Sequence, residues 1–213
     1  MPAAAPKPAA ERMTQEARRA LSDRRLVAAG IRLIATHGTG GTSLAQIGEA
    51  AGYSRGLPAE RFGSKLRFLE AVVLQIEKWF DRRLAERLQG RRGMAEIAAR
   101  IAQHLDGAVG GTEATRALHH LYADAGGGIP GLRPRMAALG QTFQAGFAAA
   151  IVDAQTMAEA DPALDPERHA AMIFAAVRGV AVHFLTDGNE HRLRTTELDL
   201  IALFERVLRK ETP

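Results

Sequence analysis

The sequence predicts an all-α chain, and three observations carry that prediction. Apolar residues recur three or four apart, as at Leu26, Gly30, Leu33 and Ile34 and again at Leu44, Ile47 and Ala51, which is the spacing of one helical face. Almost no segment alternates with the period of two that a half-buried strand requires. Glycine clusters and Asp-Pro pairs punctuate the chain at about helix-length intervals.

Taken in order, residues 1–13 are rich in proline and alanine and lack the long apolar run of a secretory signal, so a flexible arm is expected there. A helix from Thr14 to His37 should end at Gly38-Thr39-Gly40-Gly41, because glycine tolerates the left-handed backbone that stops helices. Thr42 or Ser43 then caps a short helix through Ala51. Ser54 is the expected cap of the next helix, since its hydroxyl can accept a free first-turn amide. Pro58 would then be its fourth residue, and its missing N–H costs one bond, to the Ser54 carbonyl. A loosened or locally tightened first turn follows. Ser64 caps a long helix, Lys65 to about Gln89, whose Phe68, Val72, Ile76, Phe80 and Leu84 keep one face buried. Further helices are expected at about Met94–Val109, Thr112–Ala125, Pro130–Glu159, Pro166–Thr186 and Thr195–Lys210. This organisation divides the chain into the arm, a small unit over 14–64 and a larger helical unit over 65–213.

With 213 residues, 46% hydrophobic and 24% charged, the chain has ample core and does not read as disordered. It has no cysteine, which removes disulfides, thiolate nucleophiles and cysteine-held zinc. No run of 18 apolar residues occurs, so no membrane span is expected. The net charge of +4 is concentrated early: residues 1–65 hold ten Lys/Arg against five Asp/Glu. A polyanion partner for that third, or simply a well-solvated basic face, would produce such an excess.

A short helix, a glycine turn and a second short helix behind a longer one is the order of a helix-turn-helix. The run Gly41-Thr42-Ser43-Leu44-Ala45-Gln46-Ile47-Gly48-Glu49-Ala50-Ala51-Gly52-Tyr53-Ser54-Arg55-Gly56, continued by Phe62-Gly63-Ser64-Lys65, closely resembles the N-terminal domain of TetR-family transcriptional regulators. The resemblance covers about 50 residues; the rest matches the family only in helix number and order. It implies a cytoplasmic, non-enzymatic homodimer joined through its last two helices, binding an inverted-repeat DNA operator and released from it by a small, largely apolar effector. No cofactor or metal is implied. A helical binding protein whose helix-turn-helix no longer engages DNA is the alternative.

Carried over position by position, the resemblance makes Thr42 and Ser43 donors to a phosphate at a helix start, with Lys65 adding charge. Tyr53 and Ser54 open the reading segment. Arg55 is the candidate for a bidentate guanine contact, Gly56 lets the backbone approach the groove, and Leu57 can touch a thymine methyl. The family usually has a phosphate-contacting tyrosine where this chain has Ala59, and a histidine where it has Arg61. Glu60, on the same surface, is expected to pair with Arg61 or Arg55, or to read a cytosine amino group. Arg12, Arg18 and Arg19 could follow an adjacent minor groove, or merely solubilise the arm.

In the larger unit an effector cleft would lie between helices. The long helix offers Trp79, the next offers Ile101, His104 and Leu105, and the sixth Leu118 and Tyr122. Met136, Phe143 and Phe147 come from the seventh, and Phe174 and Val177 from the eighth. Each of them is equally a core residue. His120 with Asp124 and His183 with Asp187 repeat a His-x-x-x-Asp spacing that could hold a metal, although a local ion pair explains it as well. Apolar residues on more than one face of the last two helices suit one face to the subunit's own core and one to a second copy.

Overall fold

The computed structural model describes residues 14–109 and 113–209. The expected arm lies outside those residues, as do the expected helix ends at Thr112 and Lys210. The described residues form only helices: α1 (Gln15–His37), α2 (Leu44–Ala50), α3 (Leu57–Phe62), α4 (Lys65–Leu88), α5 (Gly93–Val109), α6 (Glu113–Gly127), α7 (Arg133–Thr156), α8 (Pro166–Asp187) and α9 (Glu190–Leu208). A 3-10 turn, Pro130–Leu132, precedes α7. The all-α prediction holds.

Local chemistry explains the boundaries. Thr14 caps α1 through the Ala17 amide, Ser64 caps α4 through the Arg67 amide, and Asp165 caps α8 through the Glu167 and Arg168 amides. Three expectations are corrected. The last helix begins at Glu190, five residues before Thr195, because Gly188 closes α8 at φ 64° and Asn189 caps α9 by accepting the Arg192 amide. The seventh helix stops at Thr156 rather than Glu159: Ala158 turns left-handed at φ 59°, and the Glu159 amide donates back to the Ala154 carbonyl at 2.8 Å. Ser54 does not cap the third helix, as described below.

α5 runs through the centre, with Ile97, Ile101 and Leu105 fully buried against α4, α7, α8 and α9. α1 packs on α4 where Gly30 meets the Phe68 ring; a Cβ on Gly30 would fall 2.4 Å from Phe68 Cζ. α1 also lies along α6, one of the two most extensive helix pairs in the molecule. That contact joins the first helices directly to the larger helical body. α8 is the one helix among the described residues long and apolar enough to cross a bilayer, with mean hydropathy 1.4 over its most apolar window. Here it packs on α5, α7 and α9.

Candidate functional sites: the helix-turn-helix surface and the aromatic cavity

α2 begins with a reciprocal cap. Ser43 Oγ accepts the Gln46 amide at 3.2 Å while Gln46 Oε1 accepts the Ser43 amide at 2.8 Å. Thr42 is buried, and its hydroxyl donates to the Gly38 carbonyl at 2.8 Å. Of the two hydroxyls expected to face a phosphate, only that of Ser43 is at the surface, and it donates to Gln46 Oε1.

The turn closes on backbone bonds: Gly52 adopts φ 78°, and the Tyr53 amide donates to the Gly48 carbonyl at 2.9 Å. A Cβ on Gly48 would fall 2.4 Å from the Ser54 carbonyl oxygen, so only glycine allows this approach. Instead of capping with its hydroxyl, Ser54 accepts the Leu57 amide with its carbonyl at 3.2 Å. α3 starts at Leu57, and the Glu60 amide donating to Gly56 at 3.0 Å is its first helical bond. Pro58 therefore lies in the first turn, among the positions whose N–H has no helical acceptor, and costs no bond. It is buried between α2 and α3. The sequence reading placed it two residues too deep.

The exposed surface of this unit carries Ser54, Arg55, Gly56, Ala59 and Glu60, with Leu57 and Tyr53 half-buried against the core. Ser54, Arg55 and Gly56 lie in the turn before α3 rather than on it. Arg55 Nη1 is 3.4 Å from Glu49 Oε1, both side chains more than half exposed. Such a surface pair contributes at most about 1 kcal/mol, so Arg55 can leave it. Arg61 is held differently. Its guanidinium grips Asp23 in α1 through two bonds of 2.8 and 2.6 Å, Nη2 also donates to the Arg19 carbonyl, and the side chain is only 12% exposed. The bond to Asp23 raises the pKa of Arg61 above its ordinary value. Glu60 is thus not the acid that pairs with Arg61, nor with Arg55. Lys65 Nζ donates to the Thr39 carbonyl at 2.6 Å, and the buried Thr39 hydroxyl donates to Asp124 on α6.

Five rings, Phe80, His104, Phe143, Phe147 and Phe174, cluster between α4, α5, α7 and α8 with centroids 5.0–5.9 Å apart. His104 Nδ1 lies 2.8 Å from the Arg100 carbonyl, which can only accept, so Nδ1 carries the proton. Burial lowers its pKa to about 4, leaving a neutral ring whose Nε2 is a lone-pair acceptor. Both Nε2 and the Tyr122 hydroxyl are buried without a hydrogen-bond partner. Burial raises the Tyr122 pKa. Arg178 stacks its guanidinium 3.7 Å from the centre of the Tyr122 ring.

These groups face a cavity of about 30 Å³, room for about a water molecule. Of the eleven cleft candidates, His104, Leu118, Tyr122, Phe143, Phe174 and Val177 line it. Met136 lines an open groove of about 960 Å³ between α6, α7 and α8, while Ile101, Leu105 and Phe147 form core behind the rings. Trp79 lies against Phe80 and under Arg83, away from the cavity. Arg178, Phe80 and His119 were missed as lining residues. Arg178 was legible: it follows Phe174 by four, which places both on one helical face.

The His-x-x-x-Asp carboxylates are both engaged elsewhere, Asp124 across the fold and Asp187 locally. Asp124 accepts from Thr39; Asp187 pairs with Arg192 and accepts the Asn189 amide. Among the described residues no three His, Asp or Glu side chains converge as a metal site. On α8 and α9, Met172, Val182, Leu198, Leu203 and Val207 are 41–69% exposed.

Residues 26–72 match the family model described as bacterial regulatory proteins, tetR family. No curated protein matches the sequence. Among solved structures, a TetR transcriptional regulator from Chloroflexus aurantiacus superposes with a TM-score of 0.78 at 20% identity, covering 87% of this chain and 94% of its own. A TetR-family regulator from Cytophaga hutchinsonii gives 0.77 at 14% identity over 95% and 100%. FadR from Bacillus subtilis, in complex with stearoyl-CoA, gives 0.70 at 16% identity over 84% and 96%. At such identities the likeness is one of fold.

Proposed function

We propose, from the premise that this chain is a TetR-family transcriptional regulator, that it is a cytoplasmic homodimeric repressor released from an inverted-repeat operator by a small, largely apolar effector. The observation that carries the reading is the exposed turn Ser54-Arg55-Gly56, presented beside α3 by a unit in which Thr42 and Arg61 are held by internal bonds. Arg55 is the residue free to read a base, since its one ion pair among the described residues is exposed and weak. Ser43, Lys65 and the backbone amides at the starts of α2 and α4 are proposed to hold phosphates. Large apolar side chains left exposed on α8 and α9 support dimerisation there, because a second copy would bury them. Two such subunits present two reading segments, hence an inverted repeat.

Effector binding is proposed for the aromatic cavity and the adjoining groove, with FadR bound to stearoyl-CoA as a related fold that holds a ligand. α6 contributes Tyr122 to the cavity and Asp124 to Thr39, so one helix touches both the cavity and the α1–α2 turn. The reading without DNA draws on one observation, that Arg61 is locked to Asp23 rather than free. Fluorescence anisotropy with duplexes from the protein's own promoter separates the two. Repression requires salt-dependent binding, and Arg55→Ala should lose about 1–3 kcal/mol on the operator while leaving scrambled duplex almost unchanged. Equal affinity for both duplexes would remove the operator reading.

A further inference from the structure

The wall between the small cavity and the open groove consists of three residues common to both, Tyr122, Phe174 and Arg178. The chemistry on that wall is uneven. One side is a set of aromatic faces, which favours a flat apolar body. Set into it are two buried polar atoms that nothing among the described residues satisfies, His104 Nε2 and the Tyr122 hydroxyl. A buried polar atom without a partner costs about 1–3 kcal/mol, so a bound group that supplies the partner recovers that cost.

The sign of each group specifies the partner. His104 Nδ1 donates to the Arg100 carbonyl, so Nε2 can only accept and requires a ligand O–H or N–H. The Tyr122 hydroxyl can donate to, or accept from, the same ligand group. Arg178 is half-buried and forms no ion pair among the described residues; its guanidinium covers the Tyr122 ring at 3.7 Å and lies 5.7 Å from the Phe174 centroid. His104 flanks that same Phe174 ring at 5.9 Å. A cation and a neutral acceptor thus both stand within 6 Å of one aromatic ring.

We infer that the effector is a hydroxyaryl carboxylate, its ring against the edges of Phe143 and Phe174, its hydroxyl on His104 Nε2 and Tyr122, and its carboxylate on Arg178. This rests on the regulator reading above for the word effector, but not for the binding itself. Because the cavity holds only about 30 Å³, such a molecule must come from the groove side and part the Tyr122–Arg178 stack, merging the two spaces. A carboxylate drawing Arg178 off the Tyr122 face exchanges a cation–π contact for a bidentate pair, the stronger interaction for a guanidinium.

The test is calorimetric titration of the full chain with 4-hydroxybenzoate and the longer 4-hydroxycinnamate, beside benzoate, 4-methoxybenzoate and phenol. At least one of the hydroxy acids should bind, and its affinity should fall tenfold or more when the hydroxyl is removed or methylated and again when the carboxylate is absent. His104→Leu should abolish the preference for the hydroxyl, and Arg178→Leu the preference for the carboxylate. Since the ligand edits are read on the unaltered protein, the outcome stands even where a variant fails to fold. No binding by either hydroxy acid at millimolar concentration, or equal binding of all five compounds, overturns the inference. Operator binding by the same preparation is measured separately. Duplex binding without acid binding sinks the ligand class and spares the regulator; acid binding without duplex binding does the reverse.

Discussion

The helix-turn-helix unit and the aromatic cavity treat their polar side chains in opposite ways. Around α2 and α3, Thr42 bonds to Gly38, Ser43 to Gln46, Arg61 to Asp23 and Lys65 to Thr39. Around the cavity, His104 Nε2 and the Tyr122 hydroxyl are buried and, among the described residues, unpartnered. Satisfied groups fix one geometry in advance, which suits a surface that must match a rigid duplex; unsatisfied ones leave free energy to be recovered by a guest. The contrast separates a rigid presenting surface from a receptive interior.

Four experiments break or sharpen it, beginning with the largest effect. His104 has its pKa depressed to about 4 from 6.5, so the folded state binds fewer protons than the unfolded one between those values. Its contribution is whole above pH 6.5 and lost as pH falls toward 4, amounting to roughly 3 kcal/mol. Urea unfolding from pH 7 to 4.5 should therefore fall more steeply for the unaltered chain than for His104→Leu; parallel profiles would mean that the ring already has water beside it. Next, Gly48→Ala forces a methyl against the Ser54 carbonyl and should cost about 1–3 kcal/mol in the same assay, with operator affinity falling as the turn shifts. A substitution that leaves both unchanged would show that the α2–α3 approach relaxes easily.

Third, Tyr122→Phe deletes an orphan hydroxyl and should stabilise the ligand-free chain by about 1 kcal/mol, visible as a raised Tm. Smallest is Asp23→Ala, which strips Arg61 of its partner. Because the Asp23 side chain is 41% exposed, solvent screens the loss to about 1 kcal/mol or less. Opposite signs for these last two are what the contrast requires.

Much of this architecture was legible in the sequence, and the misses share a cause. Helix spacing and caps such as Ser64 are local, so the elements and most ends could be read from neighbours a few residues apart. Ser54 misled because serine caps by side chain or turns by backbone with equal ease, and the choice was made by Gly48 and the buried Pro58 across the α2–α3 contact. The α9 start was missed although Gly188-Asn189 is a local stop-and-start signal. For the candidate sites, composition supplied the aromatic residues but not which ones surround a void. Arg61 was expected at the DNA surface with Glu60 as its candidate partner because its actual partner Asp23 is 38 positions away, and the orphan state of His104 and Tyr122 is a property of packing alone.

Thr39 joins three parts of the chain: it lies in the turn after α1, its carbonyl accepts a hydrogen bond from the Lys65 ammonium, and its hydroxyl donates one to Asp124. A rotation of α6 would work against this bond as well as against the long α1–α6 contact, and a hydrogen bond to a charged group yields about 1.5–3 kcal/mol. For the regulator proposed above, the share of this bond in a change of affinity is roughly ten- to a hundredfold, a dimmer rather than an all-or-none switch. Thr39→Val, which keeps the shape and removes the bolt, would leave the lamp at one brightness.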